Sequence, residues 1–232
     1  MRWLRAIITG WKDLLFPLCC PICGKVLEQE NECICRDCLK LLPRTDQAVL
    51  RDNLTEDLFV DEPQFCRGAS FLFYHKGKEI QHLLHLLKYG DYPQIGYELG
   101  RQAAYEYMQT DFFEDIKVIM PVPLHPNRLK KRGYNQSEWI ARGLGDVLGI
   151  PVDTSHLTRE VNNKKQALQK GIGREQNVAG IFAVNHPEEL YHTHILLVDD
   201  IITTGSTLRS CMQTMRAFKG SKVSVFAIAR AT

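Results

Sequence analysis

No stretch of the 232 residues is long and apolar enough to span a bilayer. Residues 1 to 18 carry Arg2, Arg5, Lys12 and Asp13 and lack a small-residue cleavage site, so they do not read as a signal peptide. Charge of one sign is also missing. The net charge is +2 with 24% charged residues, so bulk charge implies no nucleic-acid partner and any basic site must be local. No segment repeats, which excludes a solenoid. The eight cysteines are not spread as a disulfide framework. Six lie between 19 and 38, a clustering that points to metal ligands in a reducing cytoplasm. At 44% apolar residues, the chain can bury one core plus a small appendage.

The most informative stretch runs from Ile195 to Leu208. An apolar run, Ile195 to Val198, suits a strand buried on both faces of a parallel sheet. It ends in Asp199 and Asp200. Thr203, Thr204, Gly205, Ser206 and Thr207 follow, and then a helix with Leu208, Met212 and Met215 on one face. Gly205 lets the backbone approach a phosphate, and the next helix offers its N-terminal amides and dipole. Four hydroxyls can donate as well. Carboxylates beside a phosphate repel it unless they meet its sugar hydroxyls or Mg²⁺. The stretch therefore reads as phosphate at one end and sugar diol, with metal, at the other. A strand end with an ordinary Ser/Thr cap would account for Asp-Asp alone; the full combination is far more specific. It is similar to the phosphoribosyl pyrophosphate (PRPP) motif of type I phosphoribosyltransferases. It lacks the lysine of a Walker-type loop, so ATP hydrolysis is not suggested.

Two Cys-x-x-Cys knuckles, Cys20 to Cys23 and Cys35 to Cys38, have eleven residues between them. They supply four thiolates for a tetrahedral Zn²⁺ with no open position, so the site reads as structural. Gly24 suits the turn after a knuckle, and a unit this small would be held together largely by its metal. Cys19 and Cys33 are spare, and either could replace a neighbour.

Residues 3 to 18 carry a helical apolar stripe, read as packing on the protein in preference to a membrane surface. Residues 46–64 are acid-rich and read as a linker or loosely held loop between a module at 1–45 and a domain at 65–232. Phe65 to Tyr74 is a strand, His75–Gly77 a turn, and residues 80–89 a helix capped at Gly90. A second helix covers about 93 to 109 and a second strand Ile116 to Met120. Next come Arg128, Lys130, Lys131 and Arg132, with no acid between Met120 and Ser137. Beyond a strand's carboxyl end these cations can hold a departing pyrophosphate. Equally, they can meet a nucleic-acid backbone, with Tyr134 as a stacking face. After a helix at 137 to 148, the span from Leu157 to Val178 reads as a long loop that closes over a charged substrate. Short strands at 181–184 and 222–229 complete the pattern.

The whole resembles the ComF family of bacterial competence-type proteins. The resemblance rests on both knuckles, Leu87-Lys88-Tyr89 with Gly90-Asp91, Pro121 to His125, Arg128 with Arg132 to Gln136, Arg159, Gln166, Arg174 with Asn177, and the Asp-Asp-Ile-Ile-Thr-Thr-Gly loop. The family pattern has a threonine three residues before Gln166; Asn163 stands there. The resemblance implies an α/β, type I phosphoribosyltransferase-like fold with a mostly parallel sheet and a small zinc module. It implies PRPP binding, with Asp199 and Asp200 on the ribose and Thr203 to Thr207 around the 5′-phosphate. A role in handling incoming single-stranded DNA is implied too, in the cytoplasm or at the inner membrane face through partners such as an uptake helicase or other competence proteins. A phosphoribosyltransferase reaction is left open, because no acceptor and no general base are encoded by any local motif.

Overall fold

The computed structural model describes residues 17–27, 32–74, 79–159 and 181–231. The stripe before residue 17, the turn at His75–Gly77 and the charged segment 160–180, including Asn163, Gln166, Arg174 and Asn177, lie outside the described residues.

Four strands form a parallel sheet in the order β1-β6-β5-β2. These are β1 (Phe65–Tyr74), β2 (Val118–Pro121), β5 (His194–Ile202) and β6 (Lys222–Ala231). β3 (Leu157–Arg159) and β4 (Phe182–Val184) pair antiparallel as a separate ribbon. The central strand β5 is buried on both faces, as its uninterrupted apolar run requires. Leu196 and Val198 enter one core, with Phe71, Phe226 and the helices α2 (Glu79–Tyr89), α3 (Pro93–Tyr107) and α5 (Gln136–Leu148). Ile195 and Leu197 enter the other, with Phe59, Phe182 and the helix α6 (Ser206–Met215). Within the first core α3 and α5 approach at two glycines. A β-carbon on Gly143 would lie 2.1 Å from the Tyr97 carbonyl, and one on Gly100 2.3 Å from that of Ile140, so only glycine permits this contact.

Residues 46–64 are not a loose linker. Gln47, Asn53, Thr55, Glu56, Phe59 and Glu62 are buried. Glu56 accepts from Arg67 Nε at 2.9 Å and from the Gly68 amide at 3.1 Å. Glu62 pairs with Arg209 at 3.1 Å and Arg216 at 2.9 Å. Three of the acids that suggested solvation, Glu56, Asp61 and Glu62, are partners of arginines from elsewhere in the chain. The end of α2 also differs from expectation. Gly90 bonds back to Leu86 at 2.8 Å, but the left-handed residue is Asp91, whose short polar side chain tolerates that conformation.

Candidate functional site

In a parallel sheet the carboxyl ends of all strands share one edge, and ligands bind beyond it. β5 delivers Asp199 and Asp200 to that edge. Asp199 Oδ1 accepts from Ser137 Oγ at 3.0 Å and from the Asp200 amide at 2.9 Å. Burial, and next the neighbouring Asp200 charge, push the Asp199 carboxyl well above the usual carboxylate range. The Asp200 side chain is 5% exposed and faces Lys88, whose Nζ lies 2.9 Å from Oδ2. Two oxygen ligands of this kind suit Mg²⁺, which takes one or two carboxylates plus substrate phosphates.

Three residues on, the backbone turns. Gly205 is left-handed, with φ 75° and ψ 0°, and opens α6. Thr203, Thr204, Ser206 and Thr207 are exposed around it, and the Ser206 amide donates to Thr204 Oγ1 at 3.4 Å. Asp199, Thr203, Gly205, Ser206 and Thr207 line one concavity. Four of the five expected loop residues and Asp199 therefore line one space, at a helix N-terminus suited to an anion, while Thr204 joins them only through its hydroxyl bond to Ser206 Oγ at 3.2 Å. Arg230, near the end of β6, holds the loop from beneath through the Thr203 carbonyl at 2.5 Å.

The basic segment is a helix, α4 (Pro126–Arg132), capped by His125 Nδ1 accepting from the Asn127 amide at 3.1 Å. Pro126 at the first helical position and this cap together start the helix. Gly133, at φ 83°, ends it. Arg128, Lys130 and Lys131 are exposed, with no ion-pair partner among the described residues. Arg132 is engaged: it donates to Gln136 Oε1 and lies over the Tyr89 ring at 5.5 Å. The segment leaves the sheet at the same edge as the Asp pair, because β2 pairs with β5 and the Val122 amide bonds the Val198 carbonyl at 2.8 Å, but its four cations are not among the residues that line the concavity at Asp199. Arg159 on β3 faces the same space. Its guanidinium pKa is lowered by burial and then by the Arg128 charge, against the pull of Cys211 and Asp199.

The four-cysteine cluster is separate. The sulfurs of Cys20, Cys23, Cys35 and Cys38 all lie within 4.8 Å of one another, and those of Cys23 and Cys35 are 3.7 Å apart. Tetrahedral Zn–S bonds of 2.3 Å would set neighbouring sulfurs about 3.8 Å apart, so the set fits a metal such as zinc. The first knuckle closes by Gly24 N to the Cys20 carbonyl at 2.8 Å, with Gly24 at φ 74°. The second opens the short helix α1 (Arg36–Leu41). Cys19 and Cys33 are outside the cluster; burial, reinforced by Glu98, pushes the Cys33 thiol up to about 12.

The model of the phosphoribosyl transferase domain matches residues 98–231. The chain belongs to that family. The match runs from within α3 to β6 and takes in the Asp pair, the glycine loop and α4, while Lys88 and β1 precede it. Among curated proteins, competence protein F of Haemophilus influenzae is 28% identical over 220 residues, covering 93% of this chain and 86% of that protein. Competence protein ComFC of Bacillus subtilis is 26% identical over 213 residues, covering 91% and 77%. The DNA utilization protein YhgH of Salmonella typhimurium is 28% identical over 151 residues, covering 64% of this chain and 66% of that protein. Among solved structures, the glutamine PRPP amidotransferase from B. subtilis matches at a TM-score of 0.40 and 22% identity, over 57% of this chain and 26% of that one.

Sequence reasoning left three contributors to the site without a role. Lys88 stands within Leu87-Lys88-Tyr89 with nothing local to tie it to Asp200, Ser137 belongs to no catalytic motif, and Arg230 lies at the end of a strand. For Arg230 the available signal was a cation at the carboxyl end of a strand neighbouring β5.

Proposed function

We propose that the chain binds PRPP or a closely related sugar phosphate and serves in the handling of incoming DNA, the role that the names of its competence and DNA-utilization relatives indicate. The observation that carries the first part is the Asp199–Asp200 pair near the end of β5, five residues before a left-handed Gly205 that opens a helix. Ribose hydroxyls would meet the carboxylates, and the 5′-phosphate would take the amides and hydroxyls of Thr203 to Thr207. Arg128, with Lys130 and Lys131, would face the pyrophosphate. Asp199 and Asp200 would hold Mg²⁺, which would supply charge neutralisation to the pyrophosphate. In transfer, an acceptor nitrogen would attack C1 as pyrophosphate leaves; the buried Asp pair would stabilise the positive charge that develops on the sugar. Zinc would sit in the four-cysteine cluster as a structural ion. The division at 1–45, 46–64 and 65–232 would then separate the zinc module from the transferase domain, with the middle segment packed against the latter.

Calorimetric titration with PRPP, with and without Mg²⁺, tests this reading. Binding that needs Mg²⁺ and disappears in Asp200→Asn is expected. Unchanged binding in that variant would remove the site assignment.

A second reading is favoured by the three exposed cations of α4, which would track a single-stranded DNA backbone. Replacing Arg128, Lys130 and Lys131 by alanine should reduce the slope of log affinity against log salt by about 2, at roughly 0.7 per lost phosphate contact. An unchanged slope would exclude α4 from any DNA contact.

A further inference from the structure

Asp200 Oδ2 is buried and makes no hydrogen bond; the charge that compensates it is Lys88 Nζ at 2.9 Å. Lys88 lies in the last turn of α2, where the helix dipole favours a cation. Its side chain is 24% exposed while that of Asp200 is 5% exposed, so the ammonium reaches down from the rim onto a carboxylate that water scarcely touches. The turn that carries it is pinned on both sides. Tyr134 Oη donates to the Leu87 carbonyl at 2.6 Å, and the Tyr89 ring lies 5.5 Å beneath Arg132. An isolated buried carboxylate is strongly unfavourable, and removing one partner of such a pair leaves that cost exposed.

We propose that Lys88 is a tethered cation that fills the divalent-metal position at Asp200, so that the Asp pair takes no metal alone and accepts it only together with the sugar phosphate. This rests on the reading of the pair as the ribose and Mg²⁺ site. Its chemical logic is a competition. A lysine ammonium and a divalent ion both seek Asp200 Oδ2, and two cations cannot share one buried oxygen without mutual repulsion. A free ion brings only its own charge and must also shed water, which Mg²⁺ does reluctantly. The metal complex of a sugar phosphate brings hydroxyls for the carboxylates and phosphates for the glycine loop, and these additional contacts displace the ammonium. The arrangement makes binding ordered: metal and sugar phosphate enter as one species.

The test uses Mn²⁺ as the metal probe on the full chain, zinc-loaded, with binding read by electron paramagnetic resonance in the absence of any sugar phosphate. The native chain should show no bound Mn²⁺ at the Asp pair. Lys88→Met should bind one Mn²⁺ at least about tenfold more tightly, Lys88→Arg should restore the native behaviour, and Asp200→Asn in the Lys88→Met background should abolish the gained site. Where Lys88→Met does not fold, Lys88→Gln keeps a hydrogen-bond donor and removes the charge, and must gain the same Mn²⁺. Native protein that binds Mn²⁺ at the pair with Lys88 in place overturns the proposal, and so does a Lys88 variant that binds no more than native. Neither readout involves PRPP. A failure of PRPP binding is therefore distinguishable from a failure of the competition.

Discussion

The ring of Phe59 lies where a side chain on Gly205 would have to go: a β-carbon there would sit 2.9 Å from Phe59 Cζ. Gly205 is thus fixed twice, by its left-handed backbone and by the aromatic packed over it. Gly205→Ala should cost about 1–2 kcal/mol for the backbone alone, plus the clash, and should weaken sugar-phosphate binding because the amides of the loop shift. Phe59→Leu in the same background should return part of the loss, so that the double variant is less destabilised than the sum of the singles. Urea denaturation checks the stability terms and calorimetry the binding.

The Glu56–Arg67 pair is 9% and 6% exposed at its side chains. Arg67 also meets Asp111 at 3.0 Å. Arg67→Met should therefore cost about 3–5 kcal/mol, because it strands a buried carboxylate. Arg142→Ala, which breaks the exposed pair with Glu138 on α5, should cost about 0.3–0.5 kcal/mol. Equal losses in denaturant melts would contradict the burial of residues 46–64.

His156 lies against Asp153 and 3.2 Å from Glu189. Burial alone would lower its pKa, but bonds and charge from Asp153, then Glu189, raise it above the ordinary value of 6.5. A raised folded pKa means that the protonated ring is favoured by the fold. The stabilisation is full below the unfolded value and is lost as pH rises through the folded one. The Tm difference between native protein and His156→Gln should be largest near pH 5 to 6 and should shrink on the alkaline side. A difference that grows with pH would reverse the assignment.

Elemental analysis should find one zinc per chain, and Cys38→Ser should lose it. Structural zinc is worth about 10–16 kcal/mol to small cysteine modules. Cys20, Cys35, Cys38 and Leu39 share a core with α2 and α3, and Arg44 bridges to Glu106 on α3 at 2.7 Å. Hydrogen exchange should accordingly accelerate in residues 17–42 and along the facing side of α3, with β5 and β6 still protected.

The parallel sheet, the glycine loop and the cysteine cluster were legible because each depends on local pattern: an apolar run, a Thr-Thr-Gly turn, paired thiols at fixed spacing. The basic segment was legible in charge and not in shape, since a proline followed by cations looks like a loop until the His125 cap is seen. The segment 46–64 was misread for a deeper reason. Composition records that Glu56 and Glu62 are acids, but their arginine partners are fixed only by the tertiary fold. Lys88 escaped for the same reason: nothing local links the end of α2 to Asp200, more than a hundred residues later in the sequence.

Arg209, beside the glycine loop, holds Asp61 at 2.7 Å, Glu62 at 3.1 Å and the Leu58 carbonyl, so the floor of the phosphate cradle is built from chain laid down before the first strand. A gene fragment starting at Phe65 would encode every residue of the sugar-phosphate motif and still lack its support: Gly205 uncovered, and Arg209 without these acids. The unit that recombination can move intact is therefore larger than the motif suggests.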